Sequence, residues 1–562
     1  MSNIASRLAR LATGDALSSR AQRRSDVIPA SPWLRARFAA GRADMRRSET
    51  PRSRSAHRRR WRSRTGFSWA LAVAVLSGCV SGEKVAGEAS EVDLSIMTFN
   101  IEYGGDRVDF GQVVKAIEVA GADVVGVQEA WGHIPRLAGE LGWEYADSRM
   151  QVVSRYPLID PGGADGKYLF VELLPGRVVA LGNVHLPSEP YGPSEVRDGA
   201  SPDKVLELER RVRVPAIAEP LAALSILAAS GIPSFLTGDL NSPSAEDWSA
   251  TAVGLRPHVR YELDWPVSRA VEKAGFRDSY RALHPDVLAE PGLTWPAGRR
   301  QVVGWNPGPD ETQERIDFVF AAGDATAVAS RIVGEAGAPE VALSVEPWPT
   351  DHRGVVSTFC VRPAKAPVFV AVEKRAVTVG EALQVAFGAP GSEGVYIAMR
   401  EVDPEIAGSV VAERSSRVDG REHGTLLMRT DALPAGAYEV VLMGVGKREL
   451  ARADVWLFLP GASPEVRLDR KQTLPGEALE VEWSRAPGNR WDWVGVYAAD
   501  TDPQVDAPLL WRYTGATIVG STILDGTAEG GGWPLPAGEY SVSLFVDDGY
   551  EQIASTPLTV SD

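Results

Sequence analysis

Cysteine is scarce in this chain, whose 562 residues contain only Cys79 and Cys360. This number excludes a scaffold held together by several disulfide bonds. Lysine is absent from residues 1–78, which carry 17 arginines against four acidic residues. Long apolar runs are also missing near the N-terminus. The run at 67–77 is too short for a membrane-spanning helix, which needs about 20 apolar residues.

The charge is divided unevenly along the chain. Residues 1–78 carry a net charge of +13, whereas the remainder has 42 basic and 70 acidic residues and a net charge of −28. Affinity for nucleic acid comes largely from basic side chains that displace counterions from phosphates. The acidic body therefore argues against an enzyme that tracks along DNA, although a local basic groove stays possible.

The N-terminal segment has the pattern of an export signal. A basic stretch at 58–66 precedes the apolar run at 67–77, and Gly78 and Cys79 follow. Residues 76–79 read LSGC, which resembles a bacterial lipobox, whose cysteine is acylated and becomes the mature N-terminus. We therefore expect an Arg-rich extension and signal peptide at 1–78, a flexible tether at 79–92, and an exported lipoprotein. Its lipid on Cys79 would anchor it at the periplasmic face or the cell surface.

Six short polar motifs lie between Asn100 and His352, each at an end of an apolar run that looks like a buried strand. They are TFNI at 98–101, VQE at 127–129, GNVHL at 182–186, TGDLNS at 237–242, RIDF at 315–318 and TDHR at 350–353. One such motif occurs by chance in many chains, but all six in this order rarely do. The set resembles the endonuclease/exonuclease/phosphatase superfamily, which includes deoxyribonucleases, abasic-site endonucleases, sphingomyelinases and inositol-polyphosphate 5-phosphatases.

The resemblance implies an α+β fold for residues 93–363, a four-layered α/β/β/α sandwich of two mixed β-sheets. Alternating apolar and amphipathic segments are compatible with it, although a doubly wound sheet would give a similar pattern. Helical spacing at 110–120 and 216–229 predicts two of the outer helices. The segment 187–204, rich in proline, glycine and charge, is expected to form a loop over the site.

The resemblance also implies the chemistry, a phosphodiester hydrolysis by water activated at a metal centre. Its metal ligands would be Glu129 and Asp351, with Asn100 supporting the metal shell or Asp239. A hard carboxylate site with few imidazoles favours Mg²⁺, with Mn²⁺ as an alternative. The implied catalytic residues are His185, Asp239, Asn241, Asp317 and His352.

Each of these catalytic residues has an implied role. Asp239 orients or deprotonates the attacking water, and Asn241 donates its amide to the phosphate. Asp317 partners His352, which acts either as a base or as an electrophilic clamp. His185 protonates the leaving group, as in deoxyribonucleases and sphingomyelinases, and its expected carboxylate partner is Glu172 or Asp165.

After Pro363 the sequence changes to short strands with glycine and proline turns, and it repeats. Residues 379–385 match 475–481, 394–396 match 495–497, and 433–438 match 535–540, at offsets of 96, 101 and 102 residues. Two tandem all-β sandwich modules are therefore predicted at 364–461 and 462–562. They would act as a spacer or bind lipid, glycan or protein. Trp491 and Trp493 are candidates for ligand contact or for the core.

The predicted function is thus a Mg²⁺-dependent phosphoesterase that is exported, lipid-anchored and monomeric. Its substrate would be a lipid headgroup, a small phosphodiester or extracellular nucleic acid. One alternative is an inositol-phosphate type of phosphomonoesterase, which would need a strongly basic pocket. The other is a catalytically inactive surface protein that displays the β-modules to a partner.

Overall fold

The computed structural model describes residues 90–298, 312–402, 410–418 and 420–561. The Arg-rich extension, the signal peptide, Cys79 and most of the tether predicted from the sequence lie outside these residues.

Two mixed sheets form the first part of the described chain, and they account for the first fourteen strands. In chain order the strands are β1 (Val92–Asn100), β2 (Val124–Gln128), β3 (Tyr145–Asp147), β4 (Val152–Ser154), β5 (Leu158–Ile159), β6 (Leu169–Leu174), β7 (Arg177–His185), β8 (Ser234–Asp239), β9 (Arg277–Asp278), β10 (Asp317–Ala322), β11 (Ala325–Gly334), β12 (Val341–Ser344), β13 (Gly354–Val361) and β14 (Ala364–Lys365). The first sheet has the order β12-β11-β13-β1-β2-β4-β3, and the second has the order β5-β6-β7-β8-β10-β9 with β14 paired to β7.

The two sheets pack face to face, and helices cover their outer faces. The helices are α1 (Phe110–Ala120), α2 (Ile134–Leu141), α3 (Gly192–Arg197), α4 (Pro202–Ala229), α5 (Pro266–Lys273) and α6 (Ser279–Leu283). The core between the sheets is built of buried aliphatic and aromatic side chains from both, such as Ile96, Val179, Phe235 and Phe359. The predicted four-layered α+β sandwich is confirmed.

Helix α4 is longer than the sequence pattern predicted. It begins at Pro202, where the Ser201 hydroxyl accepts the backbone N–H of Lys204, and it continues through Pro215 and Pro220. Interior prolines normally break helices, because they lack an N–H and clash with the preceding turn, so the prediction began only at 216. This helix is long and apolar enough for a membrane span by composition, but here it packs on β7, β8 and α5.

A buried polar network joins the sheets beneath the six polar motifs. The Asn183 side chain accepts from the Gln128 amide at 2.7 Å and from the Thr237 hydroxyl at 3.0 Å, and it donates to the Val127 carbonyl at 2.7 Å. A side chain at Gly126 would not fit, since a Cβ there would lie 2.2 Å from the Thr237 hydroxyl oxygen. Fully satisfied buried polar groups fix the relative register of packed sheets. This network positions the strand ends that follow it.

The remaining chain forms two modules that share one topology. The first contains β15 (Phe369–Val372), β16 (Ala376–Thr378), β17 (Ala382–Gly388), β18 (Tyr396–Val402), β19 (Val410–Arg417), β20 (His423–Arg429), β21 (Gly436–Met443) and β22 (Glu449–Phe458). The second contains β23 (Glu465–Leu468), β24 (Gln472–Thr473), β25 (Leu479–Ser484), β26 (Trp493–Ala498), β27 (Leu510–Tyr513), β28 (Gly520–Leu524), β29 (Gly538–Phe545) and β30 (Gln552–Val560). Each consists of a three-stranded and a five-stranded sheet.

The repeat seen in the sequence corresponds to equal positions in the two modules. The Tyr438 hydroxyl donates to the Pro434 carbonyl at 3.0 Å, and the Tyr540 hydroxyl donates to the Pro536 carbonyl at 2.7 Å. Trp491 and Trp493, candidates for either ligand contact or the core, are both buried. The prediction of two tandem all-β modules after the α+β domain is confirmed.

Candidate functional site

Several strands bring their polar ends to one edge of the sandwich. In the first sheet β1 and β2 run parallel and pair Asn100 with Gln128. In the second sheet β7 and β8 run parallel and pair His185 with Asp239, and the antiparallel β10 places Asp317 opposite Asp239. Motifs that are far apart in the sequence therefore meet in one cleft, because the carboxyl ends of parallel strands lie at the same edge.

Glu129 is held by its neighbours directly after β2. Its backbone has a φ of 56°, in the left-handed region. One carboxylate oxygen accepts the Asn100 amide at 3.2 Å, and the other accepts the backbone N–H of Tyr103 at 3.1 Å. Backbone strain in a non-glycine residue persists where the surrounding structure enforces it, as in functional sites. The half-buried carboxylate of Glu129 is thus fixed in direction.

Asp239 lies at the centre of the cleft and is buried. Its Oδ2 accepts the Asn100 amide at 3.1 Å, and its Oδ1 accepts the backbone N–H of Asn241 at 2.9 Å. The same Oδ2 lies 3.6 Å from Nε2 of His185 and 3.6 Å from Nε2 of His352. Burial raises the pKa of Asp239, while the charges of the two histidines oppose this rise.

His352 is paired with Asp317 through its other ring nitrogen. Nδ1 of His352 lies 3.0 Å from Oδ2 of Asp317, and both side chains are buried. Burial lowers the pKa of His352, but the charges of Asp317, Asp239 and Asp351 outweigh burial and raise the pKa to about 10. The imidazole is therefore protonated at neutral pH, with Nδ1–H donated to Asp317.

Two buried carboxylate oxygens in the cleft have no hydrogen-bond partner among the residues that the structure describes. They are Oδ1 of Asp317 and Oδ1 of Asp351, whereas Oδ2 of Asp351 accepts the indole N–H of Trp295 at 3.3 Å. Buried polar atoms in proteins are nearly always satisfied. Oδ1 of Asp351 also lies 3.9 Å from Nε2 of His352. A cation bound in the cleft would satisfy both of these carboxylate oxygens.

The donor atoms of the cleft fit a hard divalent cation. Asp239, Asp317 and His352 bring potential ligand atoms within 4.8 Å of one another, but only the carboxylate oxygens of Asp239 and Asp317 are available while His352 is protonated. A protonated histidine cannot ligate a metal, so oxygen ligands must dominate, as Mg²⁺ prefers. Glu129 and Asp351 supply such oxygens at the rim. The Asn100 amide donates to Glu129 and Asp239, so it supports the carboxylates.

Asn241 closes the cleft beside Asp239. It has a φ of 47°, and its side-chain amide donates to the Leu186 carbonyl at 3.1 Å. This bond ties the loop after β8 to the residue that follows His185. All of the sequence-predicted catalytic and metal residues within the described chain therefore lie around this one cleft.

Neither of the two candidates for the carboxylate partner of His185 is the carboxylate that lies beside it. Glu172 pairs with Val178 at the opposite end of β7 and accepts the backbone N–H of Gly176, so roughly 20 Å of strand separates it from His185. Asp165 lies beside Lys167, 3.3 Å from its ammonium nitrogen. Asp239 takes their place, because the parallel pairing of β7 and β8 sets it opposite His185.

Trp295 and Tyr191 border the cleft, although the sequence reasoning assigned them no role. The Trp295 ring lies 6.2 Å from the His352 ring and 5.3 Å from the Tyr191 ring. The Tyr191 hydroxyl is buried and has no hydrogen-bond partner in the described part of the chain, and burial raises its pKa well above the usual value. Tyr191 lies in the 187–204 segment that was expected to cover the site, of which α3 forms part.

Asp548 of the second β-module also lies near the cleft. Burial raises its pKa to about 7, the hydroxyl of Tyr513 and the charge of His185 lower it, and the carboxylates of Asp547 and Glu129 raise it. Its position could not be predicted from the sequence, because nothing there indicated which face of the module would meet the catalytic domain.

Comparisons with known proteins show to which family and to which chains this sequence is similar. Residues 97–352 match the family model described as the Endonuclease/Exonuclease/phosphatase family. An uncharacterized protein of Caenorhabditis elegans, F14F9.5, is 28% identical over 293 residues, which cover 47% of this chain and 91% of the relative. An endonuclease/exonuclease/phosphatase structure from Beutenbergia cavernae is 19% identical and covers 65% of this chain and 100% of its own, with a TM-score of 0.30. A mannosyl-6-phosphatase from Bacteroides thetaiotaomicron is 14% identical and covers 47% and 99%, with a TM-score of 0.29.

Proposed function

Because residues 97–352 belong to the Endonuclease/Exonuclease/phosphatase family, whose members hydrolyse phosphoesters, we propose that this chain is a phosphoester hydrolase that uses Mg²⁺. The observation that carries the proposal is the convergence of the predicted polar residues. Asn100, His185 and Asp239 end three different strands, Glu129 follows β2 and His352 precedes β13, yet contacts of 3.1 to 3.6 Å link them through Asp239 or Asn100. Chance turns and caps would have no reason to meet in this way.

Asp239 and Asn241 position the attacking water in this proposal. Asp239 is the buried carboxylate between the two histidines, and its other oxygen is fixed by the Asn241 backbone. A carboxylate held in place can orient a water molecule and accept its proton. The Asn241 amide lies beside it and can donate to a phosphate oxygen.

His352 acts as a cationic clamp rather than as a base. Its raised pKa, with Asp317 holding Nδ1–H, supports this choice between the two roles. A charged donor aimed at developing negative charge is among the strongest contributions to catalysis. His185, more exposed than His352, is suited to protonate the leaving oxygen and regain a proton from solvent.

A divalent cation would be held by Glu129 and Asp351 and would supply charge to the non-bridging phosphate oxygens. Oδ1 of Asp351 lies 3.9 Å from Nε2 of His352 but makes no hydrogen bond to a described residue, which supports this assignment. Mg²⁺ is the first choice and Mn²⁺ the second, because the ligands are carboxylates.

We further propose that the protein is exported and anchored by a lipid on Cys79. The basic stretch, the short apolar run and the LSGC sequence at 76–79 support this proposal. Substituting Cys79→Ala should release the protein from the membrane fraction, and persistent membrane association would rule the anchor out.

The function is tested with a substrate panel on purified residues 80–562. The panel contains bis-p-nitrophenyl phosphate, p-nitrophenyl phosphate, sphingomyelin, an inositol polyphosphate and plasmid DNA, each with Mg²⁺ and with EDTA. Hydrolysis of one class that EDTA and Asp239→Asn both abolish is the expected result, and it identifies the substrate class. Folded protein that hydrolyses none of them with Mg²⁺ present would contradict the proposal and favour a surface binding protein.

A further inference from the structure

A hairpin of the second β-module, residues 546–550, docks onto the catalytic domain. Oδ2 of Asp547 accepts the backbone N–H of Gly132 at 2.9 Å, and Oδ1 accepts the Gln151 amide at 2.7 Å. Asp547 is fully buried, so both of its oxygens are satisfied by the other domain. A buried carboxylate that accepts two hydrogen bonds fixes the orientation of the hairpin.

The hairpin meets the catalytic domain beside Glu129. Trp131 lies two residues after Glu129, and its ring is 5.4 Å from the Tyr550 ring. A Cβ added to Gly549 would lie 3.2 Å from the Trp131 Cβ, so the two backbones approach closely. On its other side Trp131 packs on Tyr103 at 4.9 Å, and the Tyr103 N–H donates to Glu129.

The same module also reaches the strand that ends in His185. The Arg490 guanidinium donates to the carbonyl of Asn183 at 3.2 Å, two residues before His185. The backbone N–H of Asp548 donates to the Trp491 carbonyl at 2.9 Å, and the Tyr513 hydroxyl donates to Oδ1 of Asp548 at 2.5 Å. These bonds fix the Asp548 side chain close enough to the cleft for the charges of both His185 and Glu129 to act on its carboxyl group.

The described part of the first module has no counterpart of these docking contacts, although it has the same topology. Strands β21 and β29 correspond at an offset of 102 residues, so 444–448 (GVGKR) matches 546–550 (VDDGY). Residues 445–448 are exposed, whereas Asp547 and Gly549 are buried. The offset also grows from 97 at Ala389 to 101 at Gly394, so the second copy carries four extra residues where Arg490 and Trp491 lie. The docking features are specific to the second module.

We propose that the hairpin 546–550 is a wall of the substrate site, in which Tyr550 contacts the group next to the phosphate and Asp548 repels a second negative charge. This inference rests on the proposed phosphoester hydrolysis at the same cleft. It predicts a compact substrate that carries a single, singly charged phosphodiester, and it disfavours phosphomonoester dianions and polyphosphates.

The test compares a singly charged diester, bis-p-nitrophenyl phosphate, with a doubly charged monoester, p-nitrophenyl phosphate, at about pH 8. The variants are Asp548→Asn and Tyr550→Ala, and the control is Lys447→Ala in the equivalent, exposed hairpin of the first module. Asp548→Asn should raise the monoester-to-diester ratio of kcat/KM about fivefold, because one nearby negative charge is removed. Tyr550→Ala should raise KM for the diester more than it lowers kcat. Lys447→Ala should change neither quantity.

An equal monoester-to-diester ratio of kcat/KM in Asp548→Asn and in wild type, while Glu129→Gln is inactive, would overturn the proposal that the hairpin is a wall of the site. That result would still agree with the proposed phosphoester hydrolysis. If neither ester is hydrolysed, calorimetry measures the affinity of wild type and Asp548→Asn for inorganic phosphate in the presence of Mg²⁺. Phosphate that binds Asp548→Asn several-fold more tightly than wild type supports the wall, and equal affinity overturns it. Unchanged thermal unfolding shows that each variant is folded.

Discussion

Asp317 is the residue through which the fold controls His352. Its Oδ2 accepts a hydrogen bond from Nδ1–H of His352, so Nε2 faces Asp239 and the cleft. Asp317→Asn should lower kcat about 100-fold or more, with little change in KM, because the imidazole loses both its orientation and its charge. Steady-state kinetics with the best substrate of the panel measures this effect.

Asp324→Asn is the matched control, since Asp324 follows the other end of β10 and is exposed beside Arg362. It should retain wild-type kcat. If Asp317→Asn kept kcat within about threefold of wild type, the proposed role of His352 as a cationic clamp held by Asp317 would be contradicted.

Asp492 predicts a pH dependence of stability. Burial and the charge of Asp547 raise the pKa of Asp492, and hydrogen bonds from the backbones of Asn489 and Asp547 and from the Asn489 side chain lower it. The net result is a pKa of about 7 in the folded state, whereas the value in the unfolded chain is about 3.9. A raised carboxyl pKa means that the folded state binds the proton more tightly. The associated stabilisation is complete below about 3.9 and is lost as the pH rises through about 7.

Calorimetric unfolding between about pH 4 and pH 8 tests this sign. The transition of the second module should shift to lower temperature as the pH rises, and Asp492→Asn should flatten that shift. An equally steep shift in the variant would assign the dependence to other groups.

At the scale of elements, the strands were predictable and the long helix was not. Runs such as 94–99 and 234–237 are apolar and end in a polar motif, so their pattern indicated strand and site together. Helix α4 contradicted its local signals, because Pro215 and Pro220 stand inside it. Tertiary packing on the second sheet outweighs the intrinsic cost of these prolines.

Pro215 therefore offers a stability prediction. It is exposed, so Pro215→Ala should restore an intrahelical hydrogen bond and raise the free energy of unfolding by about 1–3 kcal/mol. Pro202→Ala is the control, since Pro202 occupies the first turn, where proline is tolerated. Chemical denaturation measures both, and equal stability of Pro215→Ala and wild type would mean that the helix is already bent to suit the ring.

At the scale of the whole molecule, the sequence located the cleft but not its surroundings. Motif residues such as Asn100 and Asp239 could be placed because strand ends share an edge. The partner of His185 could not, because it depends on the register of β7 with β8. The role of the second module depends on contacts such as Asp547 with Gly132, between residues more than 400 positions apart, for which local pattern carries no signal.

The most direct test of the account measures both Mg²⁺ affinity and hydrolysis in the wild type and in Glu129→Gln. Calorimetry measures the affinity for Mg²⁺, and hydrolysis is followed in the same protein as Mg²⁺ is added. The account predicts that wild-type activity rises with Mg²⁺ occupancy and that folded Glu129→Gln loses about 100-fold or more of both affinity and activity. A folded Glu129→Gln protein with wild-type Mg²⁺ affinity and wild-type turnover would contradict it.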